Sequence, residues 1–212
     1  MHEFPRYAAP SAADEIELVR RHPFALVVSA QPDGPPAASH LPVVFRQVPT
    51  AWAGATLLGH LARVNPQWRA FAGGAELLLV FSGPHGYVSP TTYGYTPAVP
   101  TWNYAAVHLT GTVELVNSDA ETLEVVEQTV RAAESLRARA WDLTSSRERF
   151  AALVEHVVAF RLRVRTARSV FKLSQDMPAD VQARVRADVQ ASADAGAALA
   201  AMMARYGAAE TQ

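Results

Sequence analysis

The 212-residue chain is half hydrophobic, 18% charged and carries a formal charge of −1. That balance allows one well-formed core and excludes both a disordered composition and a globally basic nucleic-acid binder. With no cysteine, the chain cannot form disulfides, zinc–cysteine sites, thiolate nucleophiles or thiolate–haem bonds, so any metal chemistry leans on histidine.

In chain order, Ser11-Ala-Ala-Asp14 fits a capping box and Ile16, Leu18 and Val19 supply the apolar stripe of a short helix that His22-Pro23 stops. Residues 24–30 are apolar and β-prone, and Pro32-Asp33-Gly34 turns the chain into residues 37–45, which reads as a β-hairpin. Further strands are expected at 56–61 and 75–82, separated by a helical turn with Asn65 as cap and Pro66 at its first position. The loop at 90–100 is too rich in Thr, Tyr, Gly and Pro for a regular element, and a loop of that length points to a functional role. Over residues 104–116, Val107, Leu109, Val113 and Leu115 alternate with His108, Thr110, Thr112 and Glu114, the pattern of a half-buried antiparallel strand.

Ser118-x-x-Glu121 is expected to start a helix reaching about Ala140, and Ser145-x-x-Glu148 a second one. Val158, Phe160, Leu162 and Val164 mark a last strand whose opposite face carries Arg161, Arg163 and Arg165. Residues 179–206 are alanine-rich with few large apolar side chains, so the tail reads as helix by propensity and weakly anchored, fraying or lying on a partner subunit. No charged segment leading into an apolar stretch opens the chain, and no apolar run approaches the roughly 20 residues that cross a bilayer. A cytoplasmic protein without membrane contact is expected.

The residues that can carry chemistry gather in the middle of the chain. Gly59 before His60 permits close approach to the strand, and Arg63 with the amides near Asn65 could hold a phosphate or propionate. An ordinary strand-to-helix corner explains the same spacing. Trp102, Asn103 and Tyr104 suit the packing of a flat ring with bonds to its polar edge, or equally the start of a buried strand. His40 and His85 are further candidates, and Lys172 stands apart from the arginine face. No nucleotide-binding glycine loop, nucleophile elbow or helical metal motif is present in the sequence.

Five segments together, Ser39-His-Leu-Pro42, Gly59-His-Leu-Ala-Arg-x-Asn-Pro66-Gln-Trp, Gly83-Pro-His-Gly-Tyr-Val-Ser-Pro90, Val99-Pro-Thr-Trp-Asn-Tyr104 and Phe171-Lys-Leu-Ser-Gln175, resemble the PaiB-like family. The resemblance implies an α+β split β-barrel related to pyridoxamine phosphate oxidase, with peripheral helices and a C-terminal helix. It also implies a homodimer with the cofactor at the dimer interface. The expected organisation is a cofactor-binding barrel domain over 1–176 and a helical extension over 177–212. Many such proteins are described as FMN-binding negative regulators of transcription, but the helix after Asp119 is acidic in its first half, so direct nucleic-acid binding is not expected.

The stretch from Tyr87 to Trp102, with its short passage from Tyr93 to Pro100, and Trp141-Asp-Leu-Thr-Ser resemble the piperazate synthase branch. That likeness implies haem b in place of FMN and an enzyme that closes N5-hydroxy-L-ornithine into L-piperazic acid through a nitrogen–nitrogen bond. On this resemblance His60 is the expected iron ligand, with His40 and His85 in reserve. Arg63, Asn65, Trp102 and Asn103 are the expected cofactor contacts, and Lys172, Tyr93 and Tyr95 the candidates for proton transfer or substrate contact. FMN is the alternative cofactor.

Overall fold

The computed structural model describes residues 1–191 and 196–206. Its elements are α1 (Ala12–Arg21), β1 (Phe24–Ser29), β2 (Ala37–Phe45), β3 (Thr56–Ala62), β4 (Glu76–Val88), β5 (Thr101–Leu115), α2 (Asp119–Glu134), α3 (Arg147–Leu153), β6 (Val157–Lys172), α4 (Ala179–Ala191) and α5 (Gly196–Tyr206). The strands close into a barrel in the order β1-β2-β3-β6-β5-β4. This is the α+β split-barrel architecture the sequence led us to expect.

By Cα proximity the chain falls into two compact units: Met1–Asp14 with Ser82–Val107 and Arg168–Gln212, and Glu15–Phe81 with His108–Ala167. The second, here the barrel unit, holds the β1–β2 hairpin, in which Phe24 faces Pro42 and Ser29 faces Ala37, and the β3–β6 pair, in which Gly59 faces Phe160. Its core is built from Leu57, Leu79, Leu109, Phe160 and Leu162, all fully buried. Phe71 meets Phe160 edge-on with centroids 5.3 Å apart, a geometry favoured by the ring quadrupoles. An ideal Cβ on Gly59 would collide with the Phe160 ring. The glycine thus makes room for a core aromatic of the neighbouring strand.

Several boundaries differ from the sequence reading. Helix α2 stops at Glu134 rather than near Ala140: Ser135 caps it, and the Glu134 carboxylate accepts the Trp141 amide at 2.7 Å, turning the chain back. The expected helix at Ser145 begins instead at Arg147, because Asp142 accepts both the amide and the hydroxyl of Thr144 and sets a 3-10 turn there. Strands β4 and β6 run on to Val88 and Lys172. Glycine and proline within 83–86 would ordinarily end a strand, but an added Cβ at Gly86 would lie only 2.9 Å from Leu199 of α5.

The other unit contains the two C-terminal helices. Val181, Val185 and Val189 of α4 are buried at helical spacing, as are Leu199 and Met203 of α5. The tail is therefore packed over its described residues, which corrects the expectation of weak anchoring: small β-branched and alanine side chains suffice where two helices approach closely. Residues 192–195 and 207–212 lie outside the described residues.

Candidate functional site

In the barrel unit, β3 places His60 beneath α2. The Thr129 hydroxyl donates to the Val126 carbonyl at 2.7 Å and sits 3.3 Å from His60 Nδ1. With its proton engaged, that hydroxyl can only accept, so Nδ1 is the protonated ring nitrogen and Nε2 keeps its lone pair. Burial lowers the His60 pKa, and the imidazole is neutral at physiological pH.

Just after β3, Arg63 donates from Nε to the Glu155 carbonyl at 2.6 Å and from Nη2 to that of Val157 at 2.9 Å. Asn65 accepts the Gln67 amide at 3.0 Å, as an N-cap should, and its Nδ2 donates to Ser39 at 2.8 Å. Sequence reasoning did not single out Gln67, although it follows Asn65-Pro66 directly. Its buried amide reaches the carbonyls of Val27 and Ala37 and the Ser29 hydroxyl, which locks the first hairpin. His40, exposed on β2, stacks against Phe24 at 5.6 Å.

The other unit gathers the aromatic candidates. On β5, Trp102 and Tyr104 share a face and, with His85, line an open slot of about 290 Å³ whose lining also includes Ser82, Gly83, Ala105 and Ala106. His85 and Tyr87 lie 6.2 and 6.0 Å from the Trp102 ring, which is 55% exposed. Small residues beside aromatic rings suit a flat conjugated ligand. Asn103 points the other way: fully buried, it exchanges hydrogen bonds with Ser174 at 2.9 and 3.2 Å.

Tyr93 and Tyr95 stack at 5.7 Å. Arg184 of α4 fixes their loop by donating to the carbonyls of Thr92 and Tyr93 at 2.8 and 2.7 Å. Tyr93 is 2% exposed, and its hydroxyl has no protein hydrogen-bond partner among the described residues. Its pKa is raised by burial first and then by Tyr95, Asp176 and Tyr87; the phenol keeps its proton.

Lys172, at the end of β6, donates to the Thr101 hydroxyl and lies 5.6 Å from the centroid of the Tyr7 ring. The Tyr7 hydroxyl donates to Asp176 at 2.8 Å, and burial followed by that bond pushes its pKa to about 12. Tyr7 and Asp176 were not found from sequence. Asp176 directly follows the Phe-Lys-Leu-Ser-Gln segment, whereas Tyr7 stands in an N-terminal 3-10 turn with no pattern to mark it.

Among the described residues no helix is long and apolar enough to cross a membrane, and no three His, Cys, Asp or Glu side chains converge as a metal site. A family model described as "Putative FMN-binding domain" matches residues 1–166. The chain is 34% identical over 175 residues, 81% of each chain, to protease synthase and sporulation protein PAI 2 of Bacillus subtilis. Among solved structures it is similar to the FAD and haem binding protein of Mycobacterium smegmatis (20% identity, 78% of this chain and 73% of that one, TM-score 0.54). It is also similar to the flavocytochrome Anf3 of Azotobacter vinelandii (16% identity, 81% and 72%, TM-score 0.54). At these identities the structural likeness concerns the fold. Together with the barrel, the match over most of the sequence establishes that the chain belongs to the PaiB-like, FMN-binding domain family.

Proposed function

We propose that the chain binds a planar redox cofactor, haem b, and acts as a piperazate synthase. The observation that carries the choice of haem is the tether on His60. A metal-bound imidazole characteristically donates its second ring N–H to a neighbour that fixes tautomer and orientation, and Thr129 stands in that position. The donor set fits as well. With no three-residue metal cage among the described residues, an iron held by a macrocycle and completed by one neutral imidazole suits this chain better than a bare ion. The names of the two structural neighbours, which mention flavin, haem and flavocytochrome, lend general support to cofactor binding in this fold.

In the proposed reaction the α-nitrogen of N5-hydroxy-L-ornithine bonds to N5, the N5–O bond breaks, and the hydroxyl departs as water with one added proton. No external electron acceptor is needed. Bound haem would supply a Lewis-acidic iron that polarises the hydroxylamine. The protein folds a flexible chain into reactive geometry and manages protons. Tyr93, protonated and without a hydrogen-bond partner among the described residues, would take part in proton transfer or substrate contact. Tyr95 would cover the same loop, and Lys172 would contact substrate. We further propose a cytoplasmic homodimer, with exposed Tyr87, Val99 and Trp102 facing the partner.

Flavin is the second reading, favoured by the family description and by the slot beside Trp102, which suits an isoalloxazine ring. The absorption spectrum of the purified protein decides: a Soret band that disappears in a folded His60→Ala variant supports haem on His60. Flavin bands would remove the haem reading, and a Soret band unchanged in the variant would remove His60.

A further inference from the structure

In the barrel unit, the end of α1, the end of β2 and the last turns of α2 line a slot of about 320 Å³ that includes none of the residues assigned to the cofactor or the reaction. Its volume is at the small end of the range for ligand sites. Buried Val19, Val44 and Phe45 contribute apolar lining together with Ala132 of α2. The carbonyls of Phe45 and Arg46 both accept from the Gln128 side chain, so the backbone there is satisfied and does not require a polar ligand group. No acidic side chain lines the slot, whereas three arginines do: Arg20, Arg46 and Arg131. Arg20 is paired with Glu17 at 2.7 Å and Arg131 with Glu127 at 2.8 Å. Both also stand in the last turn of a helix, where the negative end of the helix dipole favours a cation. Arg46 has neither explanation. It is exposed just beyond β2 and takes part in none of the ion pairs among the described residues. Arg46 also lines an adjoining polar hollow, whose two acidic residues, Glu114 and Glu121, are matched in number by Arg161 and Arg163. The charge on Arg46 is left over on either count.

We infer that this slot binds an amphipathic monocarboxylate, with the apolar chain against Val44, Phe45 and Ala132 and the carboxylate on Arg46. A guanidinium takes a carboxylate through two parallel hydrogen bonds, and the chain is driven into the slot by leaving water. A cationic ligand would meet only arginines, and a small polar anion would leave the apolar lining in contact with water. Val48, 56% exposed, belongs to the same lining and offers the chain a further contact. The inference depends on neither the haem nor the piperazate reading.

The test is calorimetric titration of the purified holoprotein with octanoate, 1-octanol, octylammonium and acetate. Octanoate should bind more tightly than each of the other three by about tenfold or more. Arg46→Gln should bring octanoate to the level of octanol, and Arg46→Lys should restore most of the preference. Ala132→Phe fills the slot and should abolish octanoate binding. Because Ala132 packs against the buried cluster that includes Val44 and Val125, a thermal melt checks that this variant folds. Val48→Asp, at an exposed position, is the independent probe: it should weaken octanoate and leave octanol nearly unchanged. Failure of octanoate to bind the wild type, or octanol binding as tightly as octanoate, would overturn the inference. So would octanoate binding that survives both Arg46→Gln and Val48→Asp, since the ligand would then sit elsewhere on the protein, the cofactor pocket included.

Discussion

Tyr93→Phe separates stability from function at one atom. The Tyr93 side chain is 2% exposed and its hydroxyl lacks a protein partner among the described residues. Burial of such a group without a hydrogen bond costs about 1–3 kcal/mol. Phenylalanine fills the same space and keeps the stack on Tyr95, centroids 5.7 Å apart, so the variant should be more stable by about 1 kcal/mol. For a chain of this length that raises Tm by about 2–4 °C. If the hydroxyl donates to the departing oxygen of the substrate, turnover should fall about 100-fold or more at the same time. Thermal melts monitored by circular dichroism and steady-state product formation read the two effects separately. A Tm that falls would show that the hydroxyl is hydrogen-bonded in the free protein, and an unchanged turnover would remove Tyr93 from the reaction.

Other substitutions probe the rest of the framework. Thr129→Val removes the acceptor for His60 Nδ1 and should weaken haem retention by about 10–100-fold, measured by transfer to apomyoglobin; unaltered retention would show that the tether does not orient the ligand. Gly111→Ala drives a Cβ onto the backbone carbonyl of Arg163 and to within 2.6 Å of Leu162, with an expected loss of about 1–3 kcal/mol in a denaturant titration. Glu127, buried between Arg147 and Arg131 at 2.7 and 2.8 Å, has its pKa lowered mainly by the Arg147 hydrogen bond. Its contribution is present above the unfolded value of about 4.3 and is lost as the pH falls through the lower folded value. Glu127→Gln should therefore cost about 1–3 kcal/mol at pH 7 and converge with the wild type as the pH falls through the lowered folded value; a pH-independent difference would refute the linkage.

The site was legible in part. Asn65 caps its 3-10 turn as its place before proline required, and Trp102 with His85 forms the aromatic slot that the composition near Pro100 suggested. By contrast, the hydrogen bond from Tyr7 to Asp176 joins positions separated by 169 residues, a distance over which no local spacing rule operates. Asn103, adjacent to Trp102, faces the interior because a strand alternates sides.

The sequence by itself determined the strand set, the first hairpin and the caps at Ser11, Asn65 and Ser118, since these follow from alternation, proline and glycine placement and short side-chain-to-backbone bonds within a few residues. Tertiary structure alone decided that Gly59 makes room for Phe160, that Thr129 orients His60, and that Arg63 bonds to carbonyls near Val157. It also decided that Ser174 is clamped by Asn103. Those outcomes depend on which groups meet once distant segments pack, and the energy of each contact exists only after the chain has closed around it.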